Sequence, residues 1–263
     1  MSPRKQKSAP APIESIHSPE NRDPLQGVPV FPICLVMLVL GLFLSRFVLL
    51  GERAFHHDES IHSYNSWGIV HKGPQSYRYD PVYHGPFLYH FGAAWMRFLP
   101  DIDFTARAPF AFMGVLFPLL FLCLRKVMGW GNCLLAAGFL CLSGYQCYFA
   151  RFAREDVYML AWLTFIQIGG TLYFKTRKLL WLDLAALGLV LSYCTKESSY
   201  VNSFLPCSFV VGWGLCRWAR FGKEELKNLF TDFFPLIRIL VLFGGFSFFV
   251  FSYVALDVRV SPE

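Results

Sequence analysis

Residues 86–99 read PFLYHFGAAWMRFL, and the placement of this stretch decides the arrangement of everything around it. It is apolar, but as a helix rising ~1.5 Å per residue it covers only about 21 Å, short of the ~30 Å hydrocarbon core of a bilayer. It also carries His90 and Arg97. It therefore predicts a helix lying in the interface with its aromatic face in lipid, not a span. A second surface helix is predicted over 58–71, DESIHSYNSWGIVH. There Ile61, Tyr64 and Gly68 share a face, with Trp67 and Val70 nearby, at spacings of three and four.

Around these two segments lie longer apolar runs at 28–50, 104–126, 131–149, 156–174, 179–194, 200–218 and 234–256, of which 179–194 is the shortest. A span needs roughly 20 residues. The pattern predicts an all-α polytopic membrane protein: about seven transmembrane helices, plus two interfacial helices in a first outer loop, 51–103. Residues 1–27, polar and rich in Pro, Ser, Lys and Arg, read as a disordered cytoplasmic tail rather than a signal peptide. Residues 28–256 then form the transmembrane module and 257–263 an outer tail. No internal repeat and no separate soluble domain is visible.

Composition agrees. The chain is 55% hydrophobic and only 16% charged, whereas a soluble domain is about a quarter charged. The formal charge of +6 is therefore read by membrane side rather than as a nucleic-acid footprint; the expected surroundings are membrane lipids, with no nucleic acid. Most of the cysteines sit inside apolar blocks and none forms a Cys-x-x-Cys pair, so neither a disulfide framework nor a zinc knuckle is predicted.

With 86–99 left out of the span count and the N-terminus in the cytoplasm, the inner loops collect Arg4, Lys5, Lys7, Arg22, Arg125, Lys126, Lys175, Arg177, Lys178, Arg217, Arg220, Lys223 and Lys227. The short outer loops 150–155 and 195–199 are balanced or poor in basic residues. The positive-inside rule favours this wiring. It predicts an integral protein of the cell (inner) membrane whose site faces the outside or periplasm.

The wiring brings three polar segments to one surface: FHHDES (55–60), ARFARED (150–156) and CTKESSY (194–200). Asp58, Glu59, Glu155, Asp156, Lys196 and Glu197 should gather there. Charges at span ends are costly unless paired or used. A carboxylate there can take a proton from an acceptor hydroxyl. Arg151, Arg154 and Lys196 are placed to clamp phosphate oxygens. An aromatic surface can hold an isoprenoid tail. Together these describe sugar transfer from a lipid phosphate.

Plainer readings stand beside these. Asp58 and Glu59 also suit the first turn of a helix. Arg151, Arg154, Glu155 and Asp156 also suit an ion-paired span end, and Lys196 with Glu197 a local salt pair. His84, Tyr89 and His90 suit interfacial anchors. His56, His57 and His62 could hold a metal with Asp58, but adjacent histidines point apart on a helix, and interfacial polar residues are the better reading.

The order of these motifs resembles that of the GT-C glycosyltransferases in the dolichyl-phosphate-mannose protein mannosyltransferase superfamily, which includes the lipid A aminoarabinose transferase. The acidic pair after the first span is matched by Asp58-Glu59, and the motif opening the second loop helix by YDPVYHGPFLYH (79–90). Arg-x-Pro at the second span is matched by Arg107-Ala108-Pro109, the second acidic motif by ARFARED, and the Thr-Lys pair by Thr195-Lys196. The wording HHDES, YHGP and RED is most similar to the flippase-activity-associated branch. The resemblance covers about residues 28–200.

The resemblance implies that Asp58 is the catalytic base, that Glu59 assists or binds metal, and that Asp156, with Glu155 in support, is the second essential acid. It implies donor-phosphate contacts from Arg154 and Lys196, joined by Arg151 and His84, with His57 and Tyr83 supporting. Any divalent metal cofactor would fall on Asp58 and Glu59. The implied partners are a polyprenyl-phosphate-linked sugar and a lipid, glycan or protein acceptor. The chain departs from the pattern at His84-Gly85, where many members have Lys-Pro, and in length, since members usually continue through further spans. It reads as a fragment, a split gene product or a reduced member, with a non-catalytic accessory protein of lipid-linked sugar handling as the alternative. A transporter would want polar residues at mid-depth and broken spans in matched halves, and few of either are visible.

Overall fold

A computed structural model describes residues 30–78 and 84–222, together with residues 231 and 234. The predicted span 234–256, the tails 1–27 and 257–263, and Tyr83 lie outside this description, residue 234 apart. Among the described residues the chain is helical, with no strand: α1 (Val30–Phe47), α2 (His57–Lys72), α3 (Pro86–Phe98), α4 (Asp103–Leu120), α5 (Arg125–Met128), α6 (Trp130–Leu142), α7 (Gly144–Ala150), α8 (Asp156–Thr176), α9 (Leu179–Tyr193) and α10 (Ser199–Phe221). Two stretches are long and apolar enough to cross a membrane, Asp103–Met128 and α8; a third is the bent pair α6–α7, while α1 and α9 are apolar but shorter. The chain is thus a helical protein with membrane-type helices. Of the seven spans expected, two or three are present at full length among the described residues.

The run 131–149, predicted as one straight span, is broken: α6 and α7 meet at 68°. The cause is Ser143. Its backbone is extended, and its hydroxyl accepts from the Gln146 amide, so it caps a new helix instead of continuing the old one. A break in an apolar environment leaves carbonyls to satisfy. Arg46, fully buried in α1, supplies the donors, reaching the Leu140 and Cys141 carbonyl oxygens at 3.0 and 2.9 Å. Arg151 returns the favour at the end of α1, donating to the carbonyls of Ser45, Val48 and Leu49. α4 carries Pro109 and Pro118 and passes into a 3-10 turn at Phe121–Leu124, as expected after a proline that removes a backbone donor.

α8 and α9, joined by Arg177 and Lys178, form an antiparallel hairpin. Its closeness depends on two glycines. A Cβ at Gly169 would stand 2.5 Å from the Trp181 carbonyl oxygen, and one at Gly188 would stand 2.7 Å from that of Trp162. Small residues let apolar helices approach where the hydrophobic effect gives little drive. The other face of α8 packs on α4, with Phe110, Met113 and Phe117 against Val157, Tyr158, Ala161 and Trp162. Leu38 and Leu42 of α1 meet Ala137 of α6.

Both loop helices form at the predicted positions, but each turns a different face inward. α3 does not present its aromatic side to lipid alone: Phe87 stands edge-on to Tyr158 and Trp162, and Phe91 edge-on to Tyr158. α2 buries Glu59, His62, Ser66 and Gly68; of the residues predicted to share a face, Gly68 is buried and Tyr64 is 59% exposed. The reason is that α2's polar side has partners. Glu59 meets an arginine, His62 meets Tyr89, and Ser66 lies against Gly92, where a Cβ would come within 2.6 Å of its hydroxyl.

Candidate functional site

The site is assembled on Glu59, whose side chain is fully buried. Arg107 donates to both its oxygens, Nε to Oε1 at 2.8 Å and Nη2 to Oε2 at 3.1 Å. Arg53 donates to Oε2, and the amides of His56 and Ala153 complete the set. Arg107 also donates to the carbonyls of Leu50, Arg53 and Ala54. One carboxylate thus ties the end of the 50–56 loop, the start of α4 and the 151–155 loop into one body. The reciprocal cap between His56 and Glu59 starts α2 at the same point. Burial alone would push the Glu59 carboxyl up, but the Arg107 hydrogen bond and the two amides outweigh it and hold it below its ordinary value.

Glu155, also fully buried, is the second centre. Lys196 donates to Oε1 at 2.5 Å, and His84 Nε2 and Arg154 Nε approach the same oxygen at 3.4 and 3.6 Å. His62 Nε2 lies 3.8 Å from Oε2. That oxygen is buried with no hydrogen-bond partner. Burial would raise Glu155, but the Lys196 hydrogen bond and the charges of His84 and Lys196 hold it low. His62 is pushed down to about 4, chiefly by burial and against the pull of Glu155, so it is neutral at pH 7 and its approach to Glu155 is not an ion pair.

Arg154 links this centre to the rim. Its guanidinium faces Asp58 at 3.5 Å and Asp156 at 3.4 Å as well as Glu155. Asp58 and Asp156 are 36% and 38% exposed, so both reach solvent. His84 is held from two sides. Its backbone lies at φ 75°, a left-handed position uncommon for a residue with a side chain. The next residues dock on the 194–199 loop, the Gly85 amide donating to Thr195 O and the Phe87 amide to Cys194 O. A Cβ at Gly85 would collide with Cys194 O, so glycine is required for this docking. Trp162 Nε1 donates to Thr195 Oγ1 and fixes the same loop to α8.

Of the residues singled out in the sequence, Asp58, Arg154, Glu155, Asp156, Lys196, Glu197 and His84 meet in one cluster. Two others do not join it: Arg151 is occupied with the end of α1, and His57 is exposed outside the cluster. Tyr83 lies outside the described residues. The metal position expected on Asp58 and Glu59 is not formed, because both Glu59 oxygens are filled by donors and Asp58 faces Arg154. His62, read as interfacial, is instead buried in the centre with Tyr89, whose hydroxyl lies 3.2 Å from Nδ1. The spacing of Glu59, His62 and Ser66 by three and four was the available signal for this buried polar face. No protein-family model, curated protein or solved structure matches the chain.

Proposed function

We propose that this chain is a membrane glycosyltransferase of the GT-C type, moving a sugar from a polyprenyl-phosphate donor to a lipid, glycan or protein acceptor at the outer face of the cell membrane. The observation that supports it best is the convergence of Asp58, Asp156, Arg154 and Lys196, from three separate loops, beside an apolar helical body. Asp58 is half-exposed and can accept the proton of an acceptor hydroxyl as that oxygen attacks the sugar's anomeric carbon. The bond from that carbon to the phosphate oxygen breaks, and the polyprenyl phosphate leaves with the bonding electrons. Arg154 and Lys196 stabilise the charge on that leaving phosphate. Asp156 sets the orientation of Arg154 from the side opposite Asp58. Glu59 is a positioning residue: protein donors fill both its oxygens, and it holds the loops in register.

The test is turnover in proteoliposomes supplied with a polyprenyl-phosphate sugar. A positioned general base contributes roughly 10²–10⁴-fold, so Asp58→Asn should lose at least about a hundredfold in rate while its unfolding temperature stays that of the parent. Undiminished turnover in a folded Asp58→Asn protein would remove the proposed base. One observation favours a second reading, a non-catalytic membrane component of lipid-linked sugar handling. Arg154 and Lys196 already face carboxylates, so a donor phosphate must compete for them. Binding of the lipid-linked sugar without turnover would select that reading.

A further inference from the structure

We propose that His62, His84 and Glu155 form a binding site for a divalent transition metal ion of the zinc class. One ligand atom from each of the three lies within 4.8 Å of the other two. Metal bonds of ~2.0–2.1 Å in a tetrahedron place neighbouring ligand atoms about 3.4 Å apart. The two imidazoles flank the carboxylate at separations close to that, each on its own oxygen: His84 Nε2 is 3.4 Å from Glu155 Oε1 and His62 Nε2 is 3.8 Å from Glu155 Oε2. Two imidazoles and a carboxylate are a donor set for zinc and its neighbours rather than for magnesium or calcium, which take oxygen.

A second observation points to a ligand. Glu155 Oε2 is buried without a hydrogen-bond partner, a costly arrangement for a carboxylate unless something else takes its lone pairs. The outer nitrogens are supported as metal-bound histidines usually are. His84 turns Nε2 to the centre and Nδ1 to the Glu197 carboxylate at 3.3 Å, and His62 turns Nε2 inward and Nδ1 to the Tyr89 hydroxyl at 3.2 Å. A carboxylate only accepts, so Glu197 places the proton on His84 Nδ1 and leaves Nε2 free to bind, and the Tyr89 hydroxyl can accept from Nδ1 of the same tautomer of His62. Charge agrees as well. Among the described residues, the carboxylates of Glu155, Asp58 and Asp156 share two fixed cations, Arg154 and Lys196, a balance that suits an added cation. Three protein ligands leave a remaining position for water or another oxygen. If the proposed transfer holds, a phosphate oxygen could use that position, but the site itself stands on geometry independent of that reaction.

The test reads metal, not turnover. Full-length protein in detergent is stripped with a chelator, dialysed against ZnCl2, desalted and analysed for zinc. About one zinc per chain is expected, without competition from MgCl2. His62→Gln and His84→Gln should each weaken zinc binding by well over tenfold, and Glu197→Gln by about tenfold as an outer contact. His57→Gln, outside the cluster, should bind as the parent does. Absence of stoichiometric zinc in the parent, parent-like affinity in the two histidine variants, or loss of binding in His57→Gln would each overturn the site. If the histidine variants do not fold, the parent loaded with CoCl2 decides: a tetrahedral visible absorption band supports the site, and an octahedral spectrum or none refutes it.

Discussion

Glu59 and Glu155 are both glutamates with no exposed surface, each set where a loop meets a helix, and they are used in opposite ways. Glu59 is closed: five donors from Arg107, Arg53, His56 and Ala153 fill both oxygens. Glu155 is open: its cations crowd Oε1, and Oε2 has none. A saturated buried carboxylate contributes rigidity, because every lone pair is committed to holding chain. An unsaturated one keeps a reactive or ligating capacity at a cost in stability. The acidic pair 58–59 and the acidic pair 155–156 look alike on paper, yet the buried member of the first has both oxygens filled by donors and the buried member of the second keeps one oxygen open.

The largest effect that should separate the two is on stability. Arg107→Ala leaves Glu59 buried without its main partner, and removing one member of a buried pair costs about 3–5 kcal/mol. Thermal unfolding in detergent should fall sharply. An unfolding temperature close to the parent's would show that Glu59 is not the fastening point. Next, Glu59→Gln should destabilise clearly, whereas Glu155→Gln should destabilise less, since one of its oxygens makes no hydrogen bond, while zinc binding is lost. Equal destabilisation by both would erase the distinction.

Gly85→Ala comes third. Its methyl would collide with Cys194 O and move His84 away from Glu155, for roughly 1–3 kcal/mol of strain and a weakened zinc site. Parent-like zinc affinity in that variant would argue against the docking of His84 on the 194–199 loop.

The smallest effect is on pH dependence. Glu59 has a folded-state pKa below the ordinary value, so the folded chain binds fewer protons there than the unfolded chain. Its contribution is complete above the ordinary glutamate range and is lost as pH falls through the lower folded value. Unfolding temperature should drop on acidification in that window, and the drop should shrink in Glu59→Gln. An unchanged acid limb in the variant would contradict the assignment.

Much of the helical layout was legible in the sequence. The interfacial segments 58–71 and 86–99 became α2 and α3, and the runs at 156–174 and 179–194 became α8 and α9, because apolar period and length carry that information. The break at Ser143 was signalled only by a Ser-Gly pair inside an apolar run, and its compensation by Arg46 depends on a helix about ninety residues away. The rim of the site was legible, since charges beside apolar runs need a use: Asp58, Arg154, Asp156, Lys196 and His84 were each visible. Of the buried centre, Glu59 and Glu155 were visible as acids, but their burial and the part of His62 were not. Hydrophobic periodicity counts Glu59, His62 and Ser66 as outward-facing, and only the partners Arg107, Tyr89 and Gly92, brought in by α3 and α4, turn that face inward.

In the proposed site, three loops reach one membrane face together. The direct measurement uses a cysteine-free chain with single substitutions Asp58→Cys, Asp156→Cys or Glu197→Cys, treated in intact cells with a membrane-impermeant maleimide. The account predicts that all three are labelled from outside. Labelling of one from outside while another reacts only after the membrane is opened would contradict it.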